Sequence, residues 1–419
     1  MAKYRATKKG RTAAEIYEVQ PYYKRFNHKY NMTRQGLWEK EAAEVGKRRV
    51  ANLKRMVKEG QNGYSLLDWG FFAGARANQE NTGFNANRPN KNGNSWEPVA
   101  KRALAGTYPA PGRGFPKWEG SPEEASRLIK KMSLQYFGAD LAGFCLLDRR
   151  WVYSHWIDEE TGKDYPIKFS DEPGFEGYNQ PTQLEDKTQV IPKEMKYVAV
   201  FIYEMDEAAI GTTPTLTAMA GTQTAYSRIS FTTVSVAEFI RGLGYNAIPS
   251  ANCTALSIPL AIDAGLGQLS RNAKLITQCF GPRCRISKVI TDMPLAVGAP
   301  VDFGVTEFCN QCVKCAKHCP IGAIPYGDRS FEPVTEASHR GVLQWQLDHK
   351  KCAEYSAKVG TNCGICIRVC PFNKGRGKIH DVSRWFINNF KFLDPFFVKL
   401  DDVLGYGKFL SPEKFWRND

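Results

Sequence analysis

The chain lacks any run of the roughly 18 to 20 consecutive apolar residues that a membrane-spanning helix requires, so it reads as soluble. It has no internal repeat and no low-complexity tract, and its Gly and Pro are scattered, which excludes solenoid, collagen-like and disordered classes. The opening MAKYRATKKGRTAAE carries basic residues but no apolar segment after them, so no intact secretory signal is read there. RNA-binding patterns of the RRM or KH type are absent.

Cysteine is plentiful: there are 12, and eight fall in or beside two runs. CNQCVKCAKHCP (309 to 320) has the x2, x2, x3 spacing closed by proline that wraps a [4Fe–4S] cluster. CGICIRVCP (363 to 371) is the second run, and Cys352 stands ahead of it. A zinc ribbon pairs two CxxC units at a distance, whereas here three cysteines follow at consecutive x2 steps, so two clusters are predicted. A radical-type CxxxCxxC site is excluded, because Gly322 and Asn373 occupy the places of its third thiolate. In two-cluster ferredoxins the last cysteine of a run crosses to the other cluster. That rule assigns Cys309, Cys312, Cys315 and Cys370 to one cluster and Cys319, Cys352, Cys363 and Cys366 to the other. Cys145, Cys253, Cys279 and Cys284 have apolar neighbours and read as buried thiols.

The formal net charge of +14 suits an anionic partner. Two oxidised clusters would remove roughly four of those charges, and the basic residues are dispersed, so no nucleic-acid partner is expected.

With 419 residues the chain exceeds a single core, and its pattern is α/β or α+β. Residues 1–118 form a polar N-terminal capping unit, with GFNANRPNKNGNS (83 to 95) read as a long loop. A capping box at Ser121 and Glu124 opens a helix ending at Gly138. LAGFCLLD (141 to 148) and YVAVFIYEM (197 to 205) read as buried strands, and a helix is read around SVAEFIRGLG (235 to 244). The core is thus 119–148 and 196–304, interrupted by an acidic, turn-rich insertion at 149–195. An iron–sulfur unit spans 305–375, and 376–419 is an aromatic-rich tail that packs on the core. Gly265, Gly267 and Gly281 let backbone approach either a packed neighbour or a bound ring system.

A bare two-cluster ferredoxin needs far fewer residues, so the clusters are expected to feed a second redox centre. AGLGQLSRNAKLITQCFGPRCRISKVITD (264 to 292), followed by the two runs and Cys352, resembles the catalytic subunit of corrinoid-dependent reductive dehalogenases. The resemblance covers about residues 119 to 375; Ser270 departs from the Gly often found there. It implies a nitroreductase-like corrinoid-binding core beside a ferredoxin-like unit with two [4Fe–4S] clusters. The corrinoid, a cobalamin, would be base-off with no protein ligand to cobalt, and the DxHxxG signature is absent. Gly265, Gly267, Arg271 and Gly281 are its expected contacts.

By the same resemblance Tyr226 in TAYSRIS is the proton donor, Asn252 in PSANCT its polar partner and Arg285 in GPRCRIS the cation that favours the phenolate. A packed aromatic, a turn residue and a surface cation are the rival readings. The implied reaction replaces halogen by hydrogen on a small chlorinated aliphatic, through Co(I) corrinoid reduced by the clusters; the neutral Asn252 disfavours phenolates. Trp38, Trp69, Phe71, Phe72 and Trp96 are candidate pocket walls, with core packing the alternative. The family further implies an external electron donor, a small membrane anchor subunit and a place at the outer face of the cytoplasmic membrane, the export signal being absent from this chain. Two rivals remain open: an epoxyqueuosine reductase acting on tRNA, which would have Asp in place of Tyr226, and a plain electron carrier.

Overall fold

The computed structural model describes residues 11–81, 117–375 and 377–417. The loop at 83 to 95 and Trp96 lie outside them.

The core is a four-stranded sheet flanked by helices. Strands β1 (Leu141–Leu146), β6 (Tyr197–Glu204), β7 (Ala247–Ser250) and β10 (Cys284–Thr291) lie in the order β1-β6-β10-β7, all antiparallel. This is the α+β alternative of the predicted class. VAVFIY in β6 is buried on both faces, which explains its uninterrupted apolar run. One face packs on a 27-residue helix, Leu216–Gly242, far longer than the ten residues its C-terminal pattern reveals. Its first half is small and polar, TAMAGTQTA, because it is buried all round: a side chain at Gly221 would stand 2.6 Å from Ala209 Cβ. The other face packs on helix Ser257–Asp263 and the N-terminal segment.

The capped helix starts as predicted but its α part is shorter, Pro122–Lys131, passing into a π turn at Met132–Tyr136 before Gly138; Ser121 Oγ accepts from Glu124 N at 3.1 Å, and proline stands at the first turn. The insertion folds as its own sheet, in the order β2 (His155–Ile157), β3 (Asp164–Phe169), β5 (Gln189–Ile191), β4 (Thr182–Gln183). It is tied to the N-terminal segment by the buried pair Arg34–Glu159 at 2.6 Å.

Two N-terminal helices, Lys40–Lys58 and Leu66–Asn81, were not read from the sequence pattern. The second lies along the long helix, where Ser227 Oγ donates to Ala75 O at 2.6 Å. The tail lies on the cluster unit through Phe397 and Val398, and Phe415 stacks on Phe71 of the second N-terminal helix. Among the described residues no helix is long and apolar enough to cross a membrane.

Candidate functional site

The sheet topology brings three distant segments together. Tyr226 sits on the long helix, Asn252 follows β7, and Arg285 opens β10. Asn252 Nδ2 donates to Tyr226 Oη at 3.3 Å, and the Arg285 guanidinium carbon lies 5.5 Å from the Tyr226 ring centroid. Arg285 Nη1 donates to Cys284 O at 3.1 Å, while its buried Nε has no partner. All three side chains line a cavity of about 400 Å³.

The loop carrying Asn252 is clamped from several sides. Tyr153 Oη donates to Asn252 O at 3.3 Å, and Tyr153 N to Thr254 O at 2.8 Å. Ser250 Oγ donates to Cys253 O at 2.5 Å, and Thr254 holds a left-handed φ of 64°. Beneath the loop the fully buried Lys288 donates from Nζ to Ala251 O at 2.6 Å and to Ser257 Oγ at 3.0 Å. Burial lowers its ammonium from 10.5 to about 8. The ring of Tyr153 stacks on that of His28, centroids 4.6 Å apart, and burial holds His28 neutral well below the ordinary histidine range.

The cavity that Tyr226 lines also has apolar walls, Leu256, Ile258, Ile262 and Ile286, and polar lining groups at Lys274, His339, His349 and Cys352. Burial lowers both histidines to about 4 and so keeps them neutral. His339 Nδ1 is buried without a partner.

The predicted cluster ligands group as assigned. Cys309, Cys312, Cys315 and Cys370 surround one small void. Cys319, Cys352, Cys363 and Cys366 lie close enough to act electrostatically on one another. Burial pushes the thiols of Cys309 and Cys363 up to about 12 and those of Cys312 and Cys366 to about 11, so iron must displace their protons.

The cluster loops are tied to the core by the turn between β8 (Gln268–Leu269) and β9 (Leu275–Ile276). Arg271 donates from Nε to Cys309 O at 3.0 Å and from Nη1 to Pro325 O and Gly327 O, each at 2.8 Å. Asn272 Nδ2 donates to Cys366 O at 3.0 Å. Ser270 Oγ meets Asn272 Oδ1 at 2.6 Å, so a serine is accommodated at this departure from the family pattern.

Several expected placements are corrected. Arg271 faces the cluster loops rather than the cavity, because its guanidinium satisfies their carbonyls. Gly265, Gly267 and Gly281 meet protein backbone: an added Cβ would stand 2.7 Å from Ala299 O, 2.3 Å from Ile276 O and 2.1 Å from Phe372 O respectively. None of the four lines the large cavity. Trp38, Trp69, Phe71 and Phe72 do not line it either; Phe72 is buried against Leu216 and Met219, and Trp38 and Trp69 are partly exposed. Its aromatic walls are Tyr17, Trp151, Tyr153 and Trp345 instead. Of the four remaining cysteines, Cys145 and Cys284 are buried, while Cys253 and Cys279 are only partly so. The sequence reading also missed Tyr153, His28 and Lys288. Lys288 carried a signal, a lysine inside the apolar strand pattern ISKVIT; His28 and Tyr153 carried none.

Comparison with known proteins agrees with this arrangement. The family described as "Reductive dehalogenase subunit" matches residues 40–295, more than half of the chain, and a "4Fe-4S double cluster binding domain" matches 308–373. The chain is 40% identical over 305 residues to the tetrachloroethene reductive dehalogenase of Sulfurospirillum multivorans, covering 70% of this chain and 59% of that enzyme. It is 36% identical over 311 residues to the tetrachloroethene reductive dehalogenase of Dehalobacter restrictus, covering 70% of this chain and 56% of that one. A solved reductive dehalogenase, reported with a mechanism for B12-dependent dehalogenation, superposes with a TM-score of 0.56 at 25% identity over 71% of this chain and 39% of its own. The chain thus spans less than two thirds of the length of these relatives. With two cysteine cages, a cavity joining one of them to a tyrosine, and a match over most of its core, the chain belongs to the reductive dehalogenase subunit family.

Proposed function

We propose that the chain carries the catalytic machinery of a reductive dehalogenase that replaces halogen by hydrogen on a small chlorinated aliphatic. The observation that carries this reading is a single cavity whose lining includes both the cluster cysteine Cys352 and the trio Tyr226, Asn252 and Arg285. Its walls suit a broad, flat, amide-fringed corrinoid: aliphatic side chains make up part of the lining, and Ser338, Gln344, Lys274 and His339 offer polar groups. A base-off corrinoid bound there, without a protein ligand to cobalt, would supply the strongly reducing metal that cleaves the carbon–halogen bond. The eight cysteines would hold two [4Fe–4S] clusters, the cage containing Cys352 lying nearer the corrinoid.

The protein's own part is the proton. Asn252 donates to Tyr226 Oη, which leaves the phenolic hydrogen free to point into the cavity. When that proton passes to carbon, the phenolate keeps the Asn252 hydrogen bond and faces the Arg285 guanidinium, whose charge is permanent. A neutral Asn252 offers no cation to a phenolate substrate, and the similar enzymes that act on tetrachloroethene support a small, uncharged substrate. An external low-potential electron donor, a membrane anchor subunit and a site at the outer membrane face complete the proposal.

The test is anaerobic purification with iron, sulfide and cobalt counts, then halide release from chlorinated ethenes and ethanes with reduced methyl viologen. Tyr226→Phe should retain metals and lose at least about 100-fold in rate. Full activity in that variant would remove Tyr226 from the mechanism, and cluster-loaded protein unable to take up a corrinoid would leave only an electron relay.

A further inference from the structure

Lys288 is a buried cation that the proposed mechanism does not use. Its side chain is 0% exposed, and its two hydrogen-bond partners, Ala251 O and Ser257 Oγ, are both uncharged. The titratable or charged groups facing it are Cys253 on the adjoining loop and His28 from the N-terminal segment, with Arg34 beyond His28. Burying an ammonium without a counter-ion is costly, and such groups concentrate where a proton must be held or moved. Lys288 Nζ has one outlet: it donates to Ser257 Oγ at 3.0 Å, and Ser257 lines the same cavity as Tyr226.

We propose that Lys288 is the proton reservoir that recharges Tyr226 between turnovers, relaying through Ser257 Oγ and water in the cavity. The inference rests on the dehalogenase reading. In each turnover the carbon–halogen bond breaks, halide leaves, two electrons arrive from the low-potential donor, and carbon gains the proton of Tyr226 Oη. The phenolate left behind takes a proton from the Lys288 ammonium through the Ser257 hydroxyl, which accepts one proton and passes on another. Neutral Lys288 then regains its proton by the same outlet, from solvent entering the cavity through the Ser257 hydroxyl. Burial lowers the Lys288 ammonium and so favours its giving up the proton. Lys288 acts through Ser257 and touches no reacting atom, so it is a positioning and supply residue.

Reservoir and scaffold roles separate by kinetics. With cofactor-loaded enzyme and reduced methyl viologen, the first turnover consumes the proton already on Tyr226, whereas later ones need resupply. Ser257→Ala breaks the relay yet leaves the Lys288 to Ala251 bond. It should keep the first-turnover rate, slow steady-state turnover about tenfold, and be restored by a small added buffer acid such as imidazolium. Lys288→Met should show the same steady-state loss and the same rescue, with corrinoid absorbance and iron content matching the parent. Equal slowing of both phases in Ser257→Ala, or parent rates in both phases for both variants, would overturn the reservoir. Halide release by the parent is read in the same assay, so failure of the dehalogenase reading is seen separately.

Discussion

Replacing Lys288 by methionine should make the protein more stable at neutral pH and less stable in alkali. Burial lowers the ammonium from 10.5 to about 8, and at about 1.4 kcal/mol per unit this destabilises the fold by about 3 kcal/mol wherever the lysine is charged. The hydrogen bonds to Ala251 O and Ser257 Oγ offset about 1 kcal/mol each. Methionine fills a similar volume without the charge, so a net gain of about 1 kcal/mol is expected at pH 7. The sign in alkali follows from proton binding. Between pH 8 and 10.5 the unfolded chain holds the Lys288 proton and the fold does not, so the parent gains stability as pH rises and Lys288→Met does not. Above about pH 9 the order reverses, and above 10.5 the parent leads by about 2 kcal/mol through its two hydrogen bonds. Paired anaerobic urea unfolding at pH 7 and pH 10, followed by tryptophan fluorescence, measures the difference. A variant less stable at pH 7, or a gap that is the same at both values, would refute the reasoning.

Further outcomes follow from the same geometry. Gly281→Ala should destabilise by at least about 3 kcal/mol, or abolish soluble expression, because φ is +55° and the new Cβ would meet Phe372 O; parent-like melting would contradict that packing. Cys370→Ser should lose the cluster of the first run and keep the other, leaving about four irons of eight in the metal count. Asp401→Asn leaves the ammonium groups of Lys314 and Lys374 short of a buried carboxylate and should cost about 3 kcal/mol in denaturant unfolding, Asp402 compensating only in part. Acidification should loosen the polar lining of the cavity: His339 and His349 stay neutral in the fold down to about pH 4 but take protons near 6.5 when unfolded, so stability falls as pH drops below 6.5. Melting temperatures that stay flat from pH 7 to pH 5 in a double His→Gln variant, against a fall in the parent, would confirm the source.

What could be read in advance depended on how local the physical demand is. An iron–sulfur cube needs several thiolates within one short loop, so the two runs announced themselves and even their crossing was derivable. Strands β1 and β6 were legible because burial on both faces leaves an unbroken apolar run. The long helix was read only at its amphipathic end, since its buried half replaces large apolar residues by Thr, Ala and Gly that permit close packing. Helix Lys40–Lys58 has no fully buried residue but turns Leu53, Met56 and Val57 toward Tyr64 and Leu216, an i, i+3, i+4 signal that could have been read. Tyr226, Asn252 and Arg285 were reached through resemblance, because no spacing links a helix, a loop and a strand that meet only in space. Arg271 was misplaced for the complementary reason: an arginine among small residues looks ready for a ligand, and only the fold shows three carbonyls already claiming it.

Ligand crossing also constrains the order in which this polypeptide can mature. Cys370 belongs with Cys309, Cys312 and Cys315, so a nascent chain that has emerged only through the first run has three of the four thiols needed and cannot close either cage. Metal insertion must therefore wait until the second run has left the ribosome, and truncation just before Cys363 would deprive both cages at once rather than sparing the earlier one.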